Sequence, residues 1–268
     1  MRTVCRHVGY LGPPARLDHL LLAPRHSLLE QSHAPADMRA GGTMNADGFG
    51  IGWYPEHATS TAAAEPGDPI GPERYRNEAP MWTDVSLRAL ARGIRSSAVL
   101  AAARSATAGM PVTSTACAPF TDGRWLFSHN GVVRGWPDSL AKLAAQLEVT
   151  DLMTLEAPTD SAVLWALLRQ RLAGQDPAEA VRSLVVDVLA ASPTSRMNLL
   201  LTDGFLLVAT TCGHALSVNH RAGSVALASE PFGDPGDWEP VPDRHLVVAE
   251  PERVRVSPLE PERPTKVT

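Results

Sequence analysis

Residues 4–10 read VCRHVGY and place a cysteine, Cys5, almost at the start of the chain. An N-terminal cysteine carries its own α-amine beside its thiol, and that amine has a reference pKa of ~7.7–8.0, so part of it is neutral near pH 7. One residue then supplies both a nucleophile and a base, as an N-terminal threonine can do with its own amine. The alternative is that Cys5 is a small buried apolar residue on a first β-strand.

Four residues precede Cys5, and the amino-acid usage suggests an explanation for them. The 24 basic residues include only Lys142 and Lys266 as lysines, and Ala, Pro and Gly are abundant, which is typical of a GC-rich coding sequence. In such sequences the valine codon GTG often starts translation. We therefore expect Val4 to be the initiator and Cys5 to become the first residue, with residues 1–4 either misassigned or removed.

Composition excludes several functional classes. The chain has 268 residues, of which 44% are hydrophobic and 20% charged, as in an ordinary globular protein. The net charge of −5 favours neither nucleic acid nor an anionic membrane as a partner, and no apolar run is long enough to span a bilayer. Three widely spaced cysteines argue against a disulfide framework or a metal cluster, so we expect a reducing cytoplasm.

Hydrophobic periodicity predicts an α+β domain. Strands are predicted at residues 48–54, 99–103 and 124–127, and then repeatedly between 197 and 256. Helices are predicted at residues 85–94, 140–147, 162–172 and 178–189. Residues 55–80 have the composition of a long loop. Strands at both ends with helices between them predict two sheet layers covered by helices in one domain, residues 5–257, followed by a disordered tail at 258–268.

Two motifs at predicted strand ends could serve the nucleophile. Arg104 opens the segment RSAT directly after an apolar strand, and a guanidinium there could bind a carboxylate through its planar fork. Asn130 and Gly131 follow the strand at 124–127 and could aim a side-chain amide and a backbone N–H at one developing oxyanion. Taken alone, each has a simpler interpretation, as a surface arginine and as a hairpin turn.

Two further polar motifs are candidates for the same cleft. Asp160 stands in the segment Thr159-Asp160-Ser161 at the start of a predicted helix, where it could receive an α-ammonium group. That segment is also a typical helix N-cap, and the two roles are compatible. Residues 45–48, NADG, precede the glycine-spaced strand and could line the cleft or simply form a turn.

The motifs become specific in their order along the chain. CRHxG, NADGxG, RSAT, SHNG and TDSA follow one another as in the class II glutamine amidotransferases, the family of N-terminal-nucleophile hydrolases that this sequence closely resembles. The stretches RSATAGMPV, SHNGVV, TDSAVLWALL, NLLLTDG, ASEPF and VPDRHLV resemble the branch that hydrolyses γ-glutamyl hercynylcysteine sulfoxide in ergothioneine biosynthesis. The resemblance covers roughly residues 4–250, and the extension before Cys5 departs from it.

The resemblance implies a four-layer αββα sandwich with two stacked antiparallel sheets. It implies that Cys5 attacks the γ-carbonyl of a glutamyl amide while its α-amine accepts the thiol proton. Asn130 and the Gly131 N–H would hold the oxyanion, and water would then release glutamate from a thioester. His7 and His129 are alternative bases.

The resemblance also implies how the substrate is held. Arg104 would bind the α-carboxylate of the glutamyl group, Asp160 its α-ammonium, and Thr107 would add a polar contact. No metal or organic cofactor is implied, and the expected partner is a small γ-glutamyl substrate, with the oligomeric state left open. An aromatic cage would suit a trimethylammonium-bearing amine. The aromatic candidates for it are Trp53, Tyr54, Tyr75, Trp82, Trp136 and Trp238.

Three alternatives stay open at this stage. The chain could hydrolyse another γ-glutamyl amide, such as a glutathione-like conjugate. It could hydrolyse glutamine and pass ammonia to a partner subunit, since no synthase segment follows the motifs. It could also be a non-catalytic binding module if Cys5 never becomes N-terminal.

Overall fold

The computed structural model describes residues 5–37, 44–55 and 71–260. Within these ranges lie thirteen β-strands. They are β1 Arg6–Arg16, β2 Phe49–Trp53, β3 Glu73–Asn77, β4 Arg95–Ala103, β5 Phe120–Asp122, β6 Trp125–Val132, β7 Arg196–Thr202, β8 Leu207–Thr211, β9 Ser217–Arg221, β10 Ser224–Ala228, β11 Glu239–Pro240, β12 His245–Glu250 and β13 Arg253–Pro258.

The strands form two sheets in which every recorded strand pair is antiparallel. One sheet has seven strands in the order β11-β9-β10-β1-β4-β2-β3, and the other has six in the order β13-β12-β8-β7-β6-β5. β1 is therefore a central strand, paired on one side with β10 and on the other with β4. The start of β1 is held from both sides by main-chain hydrogen bonds.

Helices cover the outer faces of both sheets. In the described residues the α-helices are α1 Leu17–Leu21, α2 Leu28–His33, α3 Leu87–Gly93, α4 Ala141–Ala144, α5 Val149–Met153, α6 Asp160–Leu172 and α7 Pro177–Ala191. The two long helices begin where the sequence predicts. The Thr159 side chain caps α6 by accepting from the Ala162 N–H, and Asp176 caps α7 immediately before Pro177 at its first position.

Three apolar clusters define the layers. Leu100 and Leu227 of the seven-stranded sheet share one buried cluster with Leu200 and Ala209 of the six-stranded sheet, so the two sheets pack face to face. A second cluster joins the helices α1, α2 and α3 to the outer face of the seven-stranded sheet. A third joins α6 and α7 to the outer face of the six-stranded sheet. The fold is thus a four-layer αββα sandwich, and the predicted fold class is confirmed.

Strand register brings distant motifs to the start of β1. Arg6 pairs with Ala103 of β4, so Cys5 lies opposite the start of the RSAT segment. Phe49 pairs with the same Ala103 from β2, which places the NADG segment on the far side of Arg104. β10 aligns with β1 at Val8 and Ala228, so residues 229 and 230 run beside residues 7 and 6. Registry alone therefore gathers motifs that lie 40 to 220 positions apart in the sequence.

Three predicted elements differ in the structure. Within the predicted loop at 55–80, residues 73–77 form the edge strand β3, whose charged sequence lacks the apolar alternation of a buried strand, while residues 56–70 lie outside the described residues. The predicted helix at 140–147 is a 3-10 turn followed by the short helix α4. Strand β6 continues through the SHNG motif to Val132 instead of ending before it.

Residues 1–4 and 261–268 also lie outside the described residues, although the predicted tail begins within β13.

Candidate active site

A cavity lies at the start of β1, between the ends of β4 and β6 and the start of α6. It brings together five of the six residues singled out by the sequence: Cys5, Arg104, Thr107, Gly131 and Asp160. They come from four segments of the chain, since Arg104 and Thr107 share the RSAT loop, and the sandwich places them around one space.

Cys5 is half-buried, and its thiol donates to the Ser105 carbonyl oxygen at an Sγ–O distance of 3.7 Å. Burial raises the pKa of the Cys5 thiol, against the opposing effects of this hydrogen bond and of the Arg104 charge. The resting group is therefore a neutral thiol. A nucleophilic role requires a base that removes its proton.

The two nearby histidines are poorly suited to be that base. His7 is fully buried, and burial lowers its pKa to about 3, so it has little affinity for a proton. Its Nδ1 lies 3.3 Å from the Ser128 hydroxyl oxygen. His129 uses both ring nitrogens: Nε2 donates to the Arg196 carbonyl at 3.0 Å, so Nδ1 accepts from the Ser161 hydroxyl at 3.0 Å. The α-amine of an N-terminal Cys5 remains the better candidate.

Arg104 lines the cavity on a loop that is fixed from both ends. Its Nη1 donates to the Pro111 carbonyl at 2.8 Å, and the Asp47 carboxylate accepts from the Ala106 N–H at 2.7 Å. Asp47 therefore supports this loop and does not itself line the cavity. The Arg104 guanidinium has no carboxylate partner among the described residues, which leaves its charge for a ligand.

Asp160 faces the same cavity as the first residue of α6. It is 7% exposed, and its two carboxylate oxygens accept from the backbone N–H groups of Val133 and Ser161 at 2.9 and 2.8 Å. Its carboxylate makes no ion pair in the part of the chain that the structure describes. A buried carboxylate held by hydrogen bonds alone is well placed to accept a cation. Thr159 is the N-cap, and the Asp160 carboxylate therefore remains directed at the cavity.

Asn130 lies beside the cavity and does not line it. Its side chain borders a smaller space on the inner face of β6, where Nδ2 donates to the Ser229 hydroxyl at 3.2 Å and Oδ1 has no hydrogen-bond partner within the described ranges. Nδ2 carries two protons, so this one bond leaves a second for another acceptor. Gly131 does line the cavity, and its backbone is tightly enclosed: a Cβ there would lie 1.9 Å from the Arg196 carbonyl oxygen.

Sequence reasoning missed the ion pair that holds the start of β1. Glu230 and Arg6 are both almost fully buried and bonded to each other, with an Arg6 Nε to Glu230 Oε1 distance of 2.7 Å. Arg6 Nη1 also donates to the Cys5 carbonyl at 3.0 Å, so the pair reaches the main chain of the nucleophile. The sequence feature that could have pointed to this ion pair is the family-like stretch ASEPF, which contains Glu230.

The structure shows no helix among the described residues that is long and apolar enough to cross a membrane. In the same residues, no group of three or more His, Cys, Asp or Glu side chains is arranged to hold a metal ion.

Comparison with known proteins identifies the class of protein. Residues 32–234 match the family model of the glutamine amidotransferases class-II, which is most of the chain. The chain therefore belongs to the class II glutamine amidotransferases.

More specific relatives follow. The chain is 41% identical over 256 residues to the gamma-glutamyl-hercynylcysteine sulfoxide hydrolase of Mycolicibacterium smegmatis, covering 96% of this chain and 100% of that protein. It is 42% identical over 244 residues to the enzyme of the same name from Mycobacterium tuberculosis, covering 91% and 92%. These relatives confirm the branch of the family that the motifs indicate.

Solved structures agree with the fold. A glutamine aminotransferase class-II domain protein from Silicibacter pomeroyi superposes with a TM-score of 0.64 at 25% identity, covering 96% of this chain and 100% of that one. Glutamine phosphoribosylpyrophosphate amidotransferase from B. subtilis gives a TM-score of 0.64 at 13% identity, covering 96% of this chain and 49% of that one. The second likeness concerns the fold alone.

Proposed function

We propose that this protein is an amidohydrolase that releases glutamate from γ-glutamyl hercynylcysteine sulfoxide, with Cys5 as nucleophile. One observation carries the reaction class: the cavity beside the Cys5 thiol presents a guanidinium and a buried carboxylate, and neither forms an ion pair among the described residues. The choice of amide rests on the two hydrolases that are 41% and 42% identical to this chain.

The two unpaired charges suit the head of a γ-glutamyl group, which is a zwitterion. Arg104 would bind the α-carboxylate through its planar fork, and Asp160 would bind the α-ammonium. Thr107 would add a polar contact from the loop that carries Arg104. With both ends of the head fixed, the γ-carbonyl carbon would be directed toward the Cys5 thiol.

The chemical steps then use one residue as nucleophile and base. Cys5 Sγ attacks the γ-carbonyl carbon as the thiol proton passes to the α-amine of Cys5, either directly or through a water molecule. The amide C–N bond breaks, the leaving nitrogen takes that proton, and a γ-glutamyl thioester remains on Cys5. Water attacks the thioester, glutamate leaves, and the thiol is restored.

Charge develops on the carbonyl oxygen in both halves of the reaction. The Gly131 backbone N–H and the second Nδ2 proton of Asn130 would stabilise it. Asn130 now donates once to Ser229, and that bond would hold the amide group in a fixed orientation. The two donors come from consecutive residues of β6.

The experiment uses protein whose translation starts so that Cys5 is the first residue. We expect it to release glutamate from γ-glutamyl hercynylcysteine sulfoxide, and the Cys5→Ala protein to release none. A matched protein that retains residues 1–4 should fold but release glutamate at least about 100-fold more slowly, because its Cys5 nitrogen is an amide and not a base. Equal rates with and without those residues would refute the amine as base.

The same assay decides between substrates. Glutamine and glutathione are run beside the hercynyl substrate, and kcat/KM is compared. A clear preference for glutamine or glutathione would replace the proposed substrate while leaving the reaction class in place. Absence of glutamate release from all three would refute the enzymatic role.

A further inference from the structure

A second cavity adjoins the catalytic one. It is open to solvent and shares Thr107 and Met110 with the first. Its opposite wall is formed by residues 132–137, which continue the chain immediately after Gly131. A substrate with its carbonyl at Gly131 and its glutamyl head at Arg104 would therefore have this second space beside the scissile bond.

One wall of this space carries a tryptophan and, two positions before it in the chain, an arginine. Trp136 lines the cavity and is half-buried, with its inner side packed on the cluster under α6. Arg134 lines it as well and is exposed; its backbone N–H donates to the Ser195 hydroxyl, and its guanidinium has no hydrogen-bond or ion-pair partner among the described residues. The other five tryptophan and tyrosine candidates for an aromatic cage line neither of the two cavities.

The chemistry of the leaving group matches these two side chains. Hercynine is the trimethylammonium betaine of histidine, so the departing amine carries a quaternary cation beside a carboxylate. A quaternary ammonium cannot donate hydrogen bonds and is recognised by the face of an aromatic ring, with tryptophan giving the strongest attraction. A carboxylate is recognised by a guanidinium.

We infer that the second cavity is the leaving-group subsite, in which Trp136 binds the trimethylammonium group and Arg134 the neighbouring carboxylate. This inference rests on the proposed function, and it adds the residues that select the amine. Arg104 and Asp160 would recognise the head common to all γ-glutamyl amides, whereas Trp136 and Arg134 would distinguish a betaine from a smaller amine.

The test compares two substrates that share a head and a sulfoxide. One is γ-glutamyl hercynylcysteine sulfoxide, and the other is γ-glutamyl S-methylcysteine sulfoxide, which lacks the betaine. For Trp136→Leu we expect kcat/KM to fall roughly 10- to 30-fold on the first substrate and less than about twofold on the second. Trp136→Phe should recover part of the loss because it restores an aromatic face. Arg134→Gln should show the same selectivity with a smaller loss.

Two controls separate recognition from folding. Trp82 is 38% exposed and lines neither cavity, so Trp82→Leu should leave kcat/KM on both substrates unchanged. In a Cys5→Ala background, where no turnover occurs, Trp136→Leu should weaken the Kd for the hercynyl substrate by a similar factor. Equal losses on both substrates, or no loss on either, would overturn the subsite. If the unmutated protein hydrolyses only the truncated substrate, the proposed substrate fails; if it hydrolyses neither, the proposed reaction fails.

Discussion

Replacing Glu230 by glutamine should destabilise the start of β1 more than any other single polar substitution we consider. Its Oε1 accepts from Arg6 and from the Asp37 N–H, and its Oε2 accepts from His26 and from the Ala36 N–H. Glu230 and Arg6 are 3% and 2% exposed, so solvent cannot replace these bonds. Burial by itself would raise the pKa of the Glu230 carboxyl, but Arg6 and these donors lower it below its ordinary value.

The expected size follows from that geometry. Glutamine has nearly the same shape, yet it leaves the Arg6 charge buried without a counter-ion and turns an N–H₂ group toward donors. Removing one partner of a buried ion pair costs about 3–5 kcal/mol. For a chain of this length such a loss corresponds to a fall in Tm of roughly 6–10 °C. Because Arg6 also bonds the Cys5 carbonyl at 3.0 Å, kcat should fall in the protein that still folds.

The assay is urea unfolding combined with glutamate release, both at a temperature where every variant is folded. A double-mutant cycle with Glu230→Gln, Arg6→Met and both together isolates the coupling between the two side chains. We expect a coupling of at least about 2 kcal/mol, with the double variant more stable than the sum of the single losses predicts. Additive losses, within about 0.5 kcal/mol, would show that the ion pair is not what holds the start of β1.

Two further predictions concern positions fixed by packing and by burial. Gly131→Ala should abolish glutamate release and lower the free energy of unfolding by about 3 kcal/mol, because its Cβ would lie 1.9 Å from the Arg196 carbonyl oxygen. Gly174→Ala is the matched control, since a Cβ there would have nothing within 4 Å. Similar losses in both variants would contradict the clash. His214 is 3% exposed and burial lowers its pKa to about 3. Below about pH 6.5 the unfolded state therefore binds more protons at His214 than the folded state does. This difference lowers the free energy of unfolding by about 2 kcal/mol between pH 7 and pH 5. Urea titrations at both pH values should show that His214→Gln removes this part of the slope, and an unchanged slope would mean that His214 is not buried neutral.

The sequence predicted local features well and long-range partners less well. The Thr159 cap of α6 and the Pro177 start of α7 follow from residue types that stabilise helix ends wherever they occur. The strand at 49–53 follows from its apolar, glycine-spaced pattern. β3 escaped prediction because an edge strand with one solvated side can have a charged sequence, here ERYRN.

The candidate site shows the same limit at the level of side chains. The order of five motifs indicated which residues belong together, and the structure places five of the six in one cavity. Asn130 and Glu230 could not be located this way. Strand alternation turns the Asn130 side chain to the inner face of β6, and Glu230 meets Arg6 only because β10 pairs with β1 in a register that local patterns do not specify.

The protonation states around Cys5 constrain the mechanism more strongly than any single distance. Burial raises the pKa of the Cys5 thiol, which favours a mechanism in which a base removes the thiol proton during the attack. His7 is buried with a pKa of about 3, and both ring nitrogens of His129 are hydrogen-bonded, one to the Arg196 carbonyl and one to the Ser161 hydroxyl. A base that is absent from the side chains around the thiol can still be supplied by the main chain, as the α-amine of Cys5 itself. The cavity that binds the glutamyl head would then need no second residue for proton transfer, and its other side chains would serve to bind and orient the substrate.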